Sequence, residues 1–190
     1  PVTHKKMLQL IRDKGADFTP GARAEYCNTN YLLLSYIIEK ITKSGYAAAI
    51  TKRITSKIGL KNTYYGSPID TVKNESASYK NDQNSWKPEK ETNLSIHTGA
   101  GSIVSTPTDI VHFMEALFGG KLVKQASLET METLVDGYGM GLFPLDHGAK
   151  QAFGHNGRIE EFYSTARYFP AEKLAMVYIT NGIIYPRTDI

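Results

Sequence analysis

The stretch Glu25–Lys43, EYCNTNYLLLSYIIEKITK, constrains the fold most. A polar cluster runs directly into an apolar segment in which Leu32, Leu33, Tyr36, Ile37 and Ile41 return at helical spacing. That spacing predicts an amphipathic helix with one face buried against a second layer. Asn28 or Thr29 is the expected N-cap, and Gly45 the expected stop. Capping by Asn28 and packing by Tyr26 are the simplest account of the cluster. A polar group at such a cap is nonetheless held on a rigid element at the mouth of a core.

The flanking sequence predicts more helix before it predicts strand. Thr3 caps a helix from His4 to about Lys14, with Met7, Leu8 and Ile11 on one face and Gly15 closing it. A second helix follows Gly45, from Tyr46 to about Lys57, and ends at Gly59. Residues 66–98 are polar and read as a long excursion, with one short hairpin around Tyr79–Trp86 and Trp86 as a local anchor. Thr98–Ser102 is a glycine-bearing turn. Thr106, Pro107 and Asp109 form a helix start resembling a capping box. That helix runs to about Phe118, and a short one follows near Ser127–Val135. From Tyr138 the pattern changes to strands, in YGMGLFPL, KQAFGHNG, FYSTARYF and KLAMVYIT, and Pro170–Lys173 joins the last two as a hairpin. The expected organisation is one α+β domain: a mainly helical region over 1–137, with the excursion at 66–98, then antiparallel strands over 138–190.

Composition excludes several function classes. With 22 basic and 19 acidic residues the net charge is +3, and no Lys/Arg run exceeds two residues. No dedicated nucleic-acid surface is expected. The lone Cys27 excludes an internal disulfide and a cysteine metal cluster. His97, His112 and His147 are scattered without ligand spacing, so neither metal nor cofactor is implied. No apolar run approaches the length of a membrane span. A 190-residue chain with 41% hydrophobic residues is long enough to bury a sizeable core.

Three stretches carry more than structure asks for: Tyr26-Cys27-Asn28, Gly99-Ala100-Gly101 leading into Ser105–Asp109, and Gly154-His155-Asn156-Gly157. With IGLKNTYY, YGMGL and FYSTARYFPAEKLAMVYITN, in this order and spacing, they resemble the serine β-lactamase-like hydrolases over nearly the whole chain. That superfamily includes class C β-lactamases, DD-peptidases and related esterases. The resemblance implies a helical region plus an antiparallel sheet flanked by helices, with the site between them. It places the family's Tyr-x-Asn on Tyr26 and Asn28, and its His-x-Gly on His155 and Gly157. Tyr26 is then the phenolic acid/base, which needs nearby cations to favour its phenolate. Asn28 binds the substrate amide, and His155, when charged, supplies one cation. The strand through Asn156, Gly157 and Arg158 lines the cleft, with the Arg158 N–H as an oxyanion donor. The implied location is periplasmic or extracellular.

Two departures qualify the resemblance. The family's nucleophile lies in Ser-x-x-Lys, and no serine here has lysine three residues on. The chain therefore reads as the middle and late portion of such a domain, lacking the nucleophile helix, the opening strands and the closing helix. An unpaired sheet edge able to dimerise or swap is expected. Glu161 stands where the family has glycine before Phe162, which puts a side chain beside the cleft. Two readings remain open: one part of a serine hydrolase acting on β-lactams, D-Ala-D-Ala peptides or esters, or a binding protein that senses peptidoglycan fragments in the same cleft.

Overall fold

The computed structural model describes residues 2–66 and 68–184. Helices α1 (His4–Lys14) and α2 (Asn28–Thr42) come first. Next, α3 (Tyr46–Ile50) passes through a π-helical turn at Thr51–Thr55 into α4 (Ser56–Ile58). The Thr51 hydroxyl donates to the Ala47 carbonyl at 3.0 Å, and such back-bonding competes with the regular helical ladder. Strand β1 (Tyr64–Tyr65) pairs antiparallel with β4 (Ile103–Val104), across the excursion that holds the hairpin β2 (Tyr79–Asp82)–β3 (Ser85–Pro88). Helices α5 (Pro107–Phe118) and α6 (Gln125–Glu132) precede a four-stranded antiparallel sheet. Its strands, in spatial as in chain order, are β5 (Phe143–Pro144), β6 (Phe153–Ile159), β7 (Phe162–Phe169) and β8 (Leu174–Thr180). The last residues of the expected strand region, 185–190, lie outside the described residues.

Helix α5 packs on β7 and β8, and Phe118 stacks on Tyr168 with ring centroids 4.2 Å apart. Met114, Leu117, Leu142, Ala152, Phe153 and Phe169 fill the interior around this layer. Pairing of His155 with Ala166 and of Ala166 with Val177 puts these residues on the same sheet face as Tyr168. Gly154 fixes this register, because a Cβ there would collide with the Ala166 carbonyl oxygen. The opposite face carries Met176 and Tyr178, both exposed, beside Thr165 and Arg167. Among the described residues β8 pairs only with β7, so its outer edge is open.

Several expectations need correction. The N-cap of α2 is Cys27, with no side-chain cap bond, because the Asn28 amide oxygen already accepts the Tyr26 hydroxyl at 3.0 Å. The helix stops at Lys43 in a left-handed conformation (φ 52°), two residues before Gly45, which instead starts α3. The buried face of α2 is narrower than its pattern. Leu32 and Ser35 are buried, whereas Ile37 is 50% and Ile41 73% exposed. The helix leans on the Thr98–Gly101 turn, where the Ser35 hydroxyl meets Thr98 Oγ1 at 3.1 Å. Asp109 does not close a capping box. Thr106 Oγ1 accepts the Asp109 N–H, but the buried Asp109 carboxylate accepts the Asn62 N–H (2.8 Å) and the Thr63 hydroxyl (2.9 Å).

Candidate functional site

The turn before α2 and the strand β6 bring the candidate residues together. Tyr26, 38% exposed, lies with its ring centroid 5.7 Å from that of His155. Asn28, in the first turn of α2, holds the Tyr26 hydroxyl through its amide oxygen. His155 Nδ1 is in contact with the Asn156 carbonyl. A carbonyl can only accept, so this contact keeps a proton on Nδ1 and leaves Nε2 for a second partner.

The Thr98–Gly101 turn sets the spacing of these two elements. Gly99 lies so close to α2 that a Cβ would strike the Tyr31 carbonyl, and a Cβ at Gly101 would come within 2.8 Å of Ile159 at the end of β6. Gly99 is thus needed for the close approach of this turn to α2, whereas the neighbour at Gly101 is only the flexible end of the Ile159 side chain.

Among the described residues, the edge of β6 next to the site is open beyond the β5 pairing. Leu145 donates to the Ala152 carbonyl, so even-numbered residues here turn their backbone groups toward β5. The β5 pairing ends with Phe143 opposite Gly154. The backbone groups of Asn156 and Arg158 therefore face an unpaired edge beside Tyr26 and His155. Gly157 lies on the His155 face, where a Cβ would approach Ser164 Oγ to 2.6 Å.

The side chain of Arg158 turns away from that edge. Its guanidinium reaches the Glu160 carbonyl and Glu161 Oε1, each at 3.0 Å. This ion pair accounts for Glu161. Its charge is neutralised at the β6–β7 turn, and its N–H donates to Ser78 Oγ at 3.0 Å. Glu160 takes the positive φ (48°) that this turn requires.

The electrostatics around Tyr26 oppose its phenolate. Partial burial pushes its pKa up, and the neighbouring Tyr31 and Cys27 add to the shift. The phenol is held protonated, as a donor, until a cation is placed against it. Among the described residues there is no His/Cys/Asp/Glu cluster able to hold a metal ion, and no helix long and apolar enough to cross a membrane.

Phe143 is the residue that sequence reasoning missed. Its ring meets Tyr26 at 5.4 Å, Tyr138 at 5.5 Å and His155 at 4.7 Å, in each case edge to face. Beside it opens a cavity of about 200 Å³, lined among others by Tyr31, Leu34, Tyr138 and Phe143. The signal was present in YGMGLFPL, where two aromatics flank a glycine-rich strand start. Nothing in the sequence, however, directs them toward Tyr26.

Comparison with known proteins agrees with this architecture. The chain is 25% identical over 180 residues to a D-aminopeptidase of Brucella anthropi, a match covering 90% of this chain and 34% of the relative. A D-amino acid amidase from Ochrobactrum anthropi SV3, solved with L-phenylalanine amide, superposes with a TM-score of 0.84 at 27% identity. That match covers 95% of this chain and 57% of the amidase. A D-stereospecific amidohydrolase from a Streptomyces species gives a TM-score of 0.81 at 27% identity, with the same coverages of 95% and 57%. The chain thus spans between a third and three fifths of the length of these proteins, among which hydrolases of D-amino acid derivatives recur. A family model described as Beta-lactamase matches residues 1–185. With the match extending over nearly the whole sequence, the chain belongs to the Beta-lactamase family.

Proposed function

We propose that these residues supply one wall of an acyl-transfer site that hydrolyses amide or ester bonds through an acyl-serine. The preferred substrates are amides and short peptides of D-amino acids. The serine and its lysine come from polypeptide outside the 190 residues, since none of the serines here precedes lysine at the required spacing. The observation that carries the reading is the gathering of the Tyr26 hydroxyl, the Asn28 amide and the His155 ring beside the unpaired edge of β6.

In the first step the serine oxygen attacks the substrate carbonyl and the C–N bond breaks. Tyr26, protonated at rest, gives that proton to solvent once cations are placed against it; its phenolate then takes the proton of the serine hydroxyl as the oxygen attacks and passes it to the leaving amine as the C–N bond breaks. The incoming lysine and a charged His155 supply the cations that allow Tyr26 to act as a base. The Arg158 N–H, on the open edge, is a donor for the carbonyl oxygen as it gains charge. Asn28 and the Asn156 backbone hold the amide, and Gly157 leaves room for it. Water then cleaves the ester. No metal or cofactor takes part in this scheme. Between β-lactams and D-amino acid amides, similarity to a D-aminopeptidase and a D-amino acid amidase favours the amides.

The open edge of β8 and its exposed Met176 and Tyr178 support pairing with another strand, including that of a second copy. A periplasmic or extracellular site of action follows from the same family likeness. The absence of Ser-x-x-Lys from these residues favours a second reading, a non-catalytic sensor of peptidoglycan fragments. Intact-mass analysis with penicillin and a fluorophosphonate, on this chain and on the longest natural polypeptide containing it, separates the two. Labelling of the longer polypeptide alone is the expected result. Labelling of neither overturns the hydrolase in favour of the sensor, and labelling of this chain refutes an external nucleophile.

A further inference from the structure

The polar excursion does more than cross from β1 to β4, because it also holds the turn that follows β6. Ser78, 2% exposed, accepts the Glu161 N–H through Oγ at 3.0 Å. Glu160 reaches the other way, and its Oε1 accepts the Thr92 N–H at 2.9 Å. The excursion is itself tied to the residue after β8. The Asn181 carbonyl accepts the Tyr79 N–H, and the Asn181 amide donates to the Ala77 carbonyl, each at 2.8 Å. Residues 77–92 thus link the β6–β7 turn to the end of β8.

The link matters because of what β6 lacks. Its β5 pairing ends at Gly154, so beyond that residue, among the described residues, β6 is paired on one side only, with β7. Arg158, whose N–H faces the open edge, comes two residues before Glu160. The ion pair between Arg158 and Glu161 is half open to water at the arginine and adds little to the hold. A misplacement of about 1 Å at a reacting site costs up to roughly 10²-fold in rate. We infer that Ser78 and Glu160 are positioning residues for acyl transfer, which fix the β6–β7 turn and through it the reach of the Arg158 N–H toward the carbonyl oxygen. The inference rests on the acyl-transfer reading, and neither side chain is asked to touch substrate. The Arg158 N–H acts most strongly once the oxygen has gained charge, so its misplacement lowers kcat and leaves KM nearly unchanged.

The test uses Ser78→Ala, Glu160→Ala and Glu160→Gln, the last of which keeps an acceptor oxygen. In this chain, 15N relaxation reads the order parameter of the Arg158 N–H. It is expected to fall from about 0.85 to below about 0.6 in both alanine variants and to return in Glu160→Gln. In the longest natural polypeptide containing these residues, kcat is measured with the D-amino acid amide it hydrolyses fastest. The alanine variants are expected to lose at least ~10-fold in kcat with KM within about twofold, and Glu160→Gln to regain it. Glu160 is half-buried at a turn, so its two variants decide the matter if Ser78→Ala fails to fold. A merely structural role lowers the melting temperature but moves neither the order parameter nor the kcat of folded protein, and that result overturns the inference. A loss confined to KM, or a kcat that Glu160→Gln does not restore, also overturns it. A wild-type polypeptide that hydrolyses no amide refutes the acyl-transfer reading and the inference with it, whereas an active one whose kcat is indifferent to all three substitutions refutes the inference alone.

Discussion

Replacing Asp109 with alanine separates two roles for one residue. As the partner in a capping box, Asp109 would contribute no more than about 1 kcal/mol. In the structure its carboxylate, on a residue 5% exposed, accepts the Asn62 N–H and the Thr63 hydroxyl and ties the segment before β1 to α5. Hydrogen bonds to a charged group contribute about 1.5–3 kcal/mol each. Asn62 is exposed and its N–H can turn to water, which reduces the sum. The expected loss for Asp109→Ala is therefore about 2.5–4 kcal/mol, or roughly 5–16 °C in Tm for a chain of this size. Asp109→Asn keeps an acceptor oxygen without the charge and should cost about 1–2 kcal/mol. Urea unfolding followed by circular dichroism measures both, and a cycle with Thr63→Val isolates the pair, with an expected coupling of about 0.5–3 kcal/mol. A loss below about 1 kcal/mol for Asp109→Ala, with no coupling to Thr63, would refute the tether and restore the cap.

Gly154→Ala forces a methyl against the Ala166 carbonyl and is expected to cost about 1–3 kcal/mol in thermal or urea unfolding, with loss of the Tyr26–His155 contact visible as altered aromatic NMR shifts. Tyr64 donates to Glu75, which pushes its phenol up to about 12, chiefly through that hydrogen bond, and draws the Glu75 carboxyl down. The stabilisation from Glu75 is present above the ordinary carboxylate pKa and lost as pH falls through its lowered value. That from Tyr64 is present below about 10 and lost as pH rises through the raised value. A phenolate absorbance titration should lose its latest-titrating group in Tyr64→Phe, and an unchanged curve would remove this pair from consideration. If β8 recruits a second copy, the mass in light scattering rises with concentration, and Met176→Lys with Tyr178→Lys should return it to that of a monomer.

Much of this arrangement was legible in the sequence because its signals are local. Helix α1 runs from His4 to Lys14, where its cap and closing glycine put it, and two β-rich runs joined by the Pro170–Lys173 turn mark β7 and β8. Resemblance to the family's Tyr-x-Asn and His-x-Gly motifs singled out Tyr26, Asn28 and His155, and in the structure Tyr26 meets both Asn28 and His155. What escaped depends on distant partners. The two-residue pairing of β1 with β4 joins segments on either side of a long excursion, and no periodicity develops over so few residues. Asp109 carried a helix-start pattern, but its partners are far back in the sequence. Ile37 and Ile41 fit the apolar period of α2, yet periodicity states which residues share a face and not whether a neighbour covers it. Phe143 read as one strand residue among many, since its importance lies in where three other rings sit.

The alternation along β6 has a consequence for how such a site changes over generations. At Asn156 and Arg158 the open edge offers peptide groups, which every residue type but proline provides alike, while their side chains project from the face away from α5. Substitutions at these positions can therefore accumulate with little effect on the edge itself. Shifts in pairing have the opposite effect. A one-residue insertion before Gly154 that displaces the strand would turn His155 to the far side of the sheet and present the odd-numbered peptide groups at the edge. Sequence drift here is tolerated one letter at a time, whereas a change of reading parity dismantles the wall while leaving its composition intact.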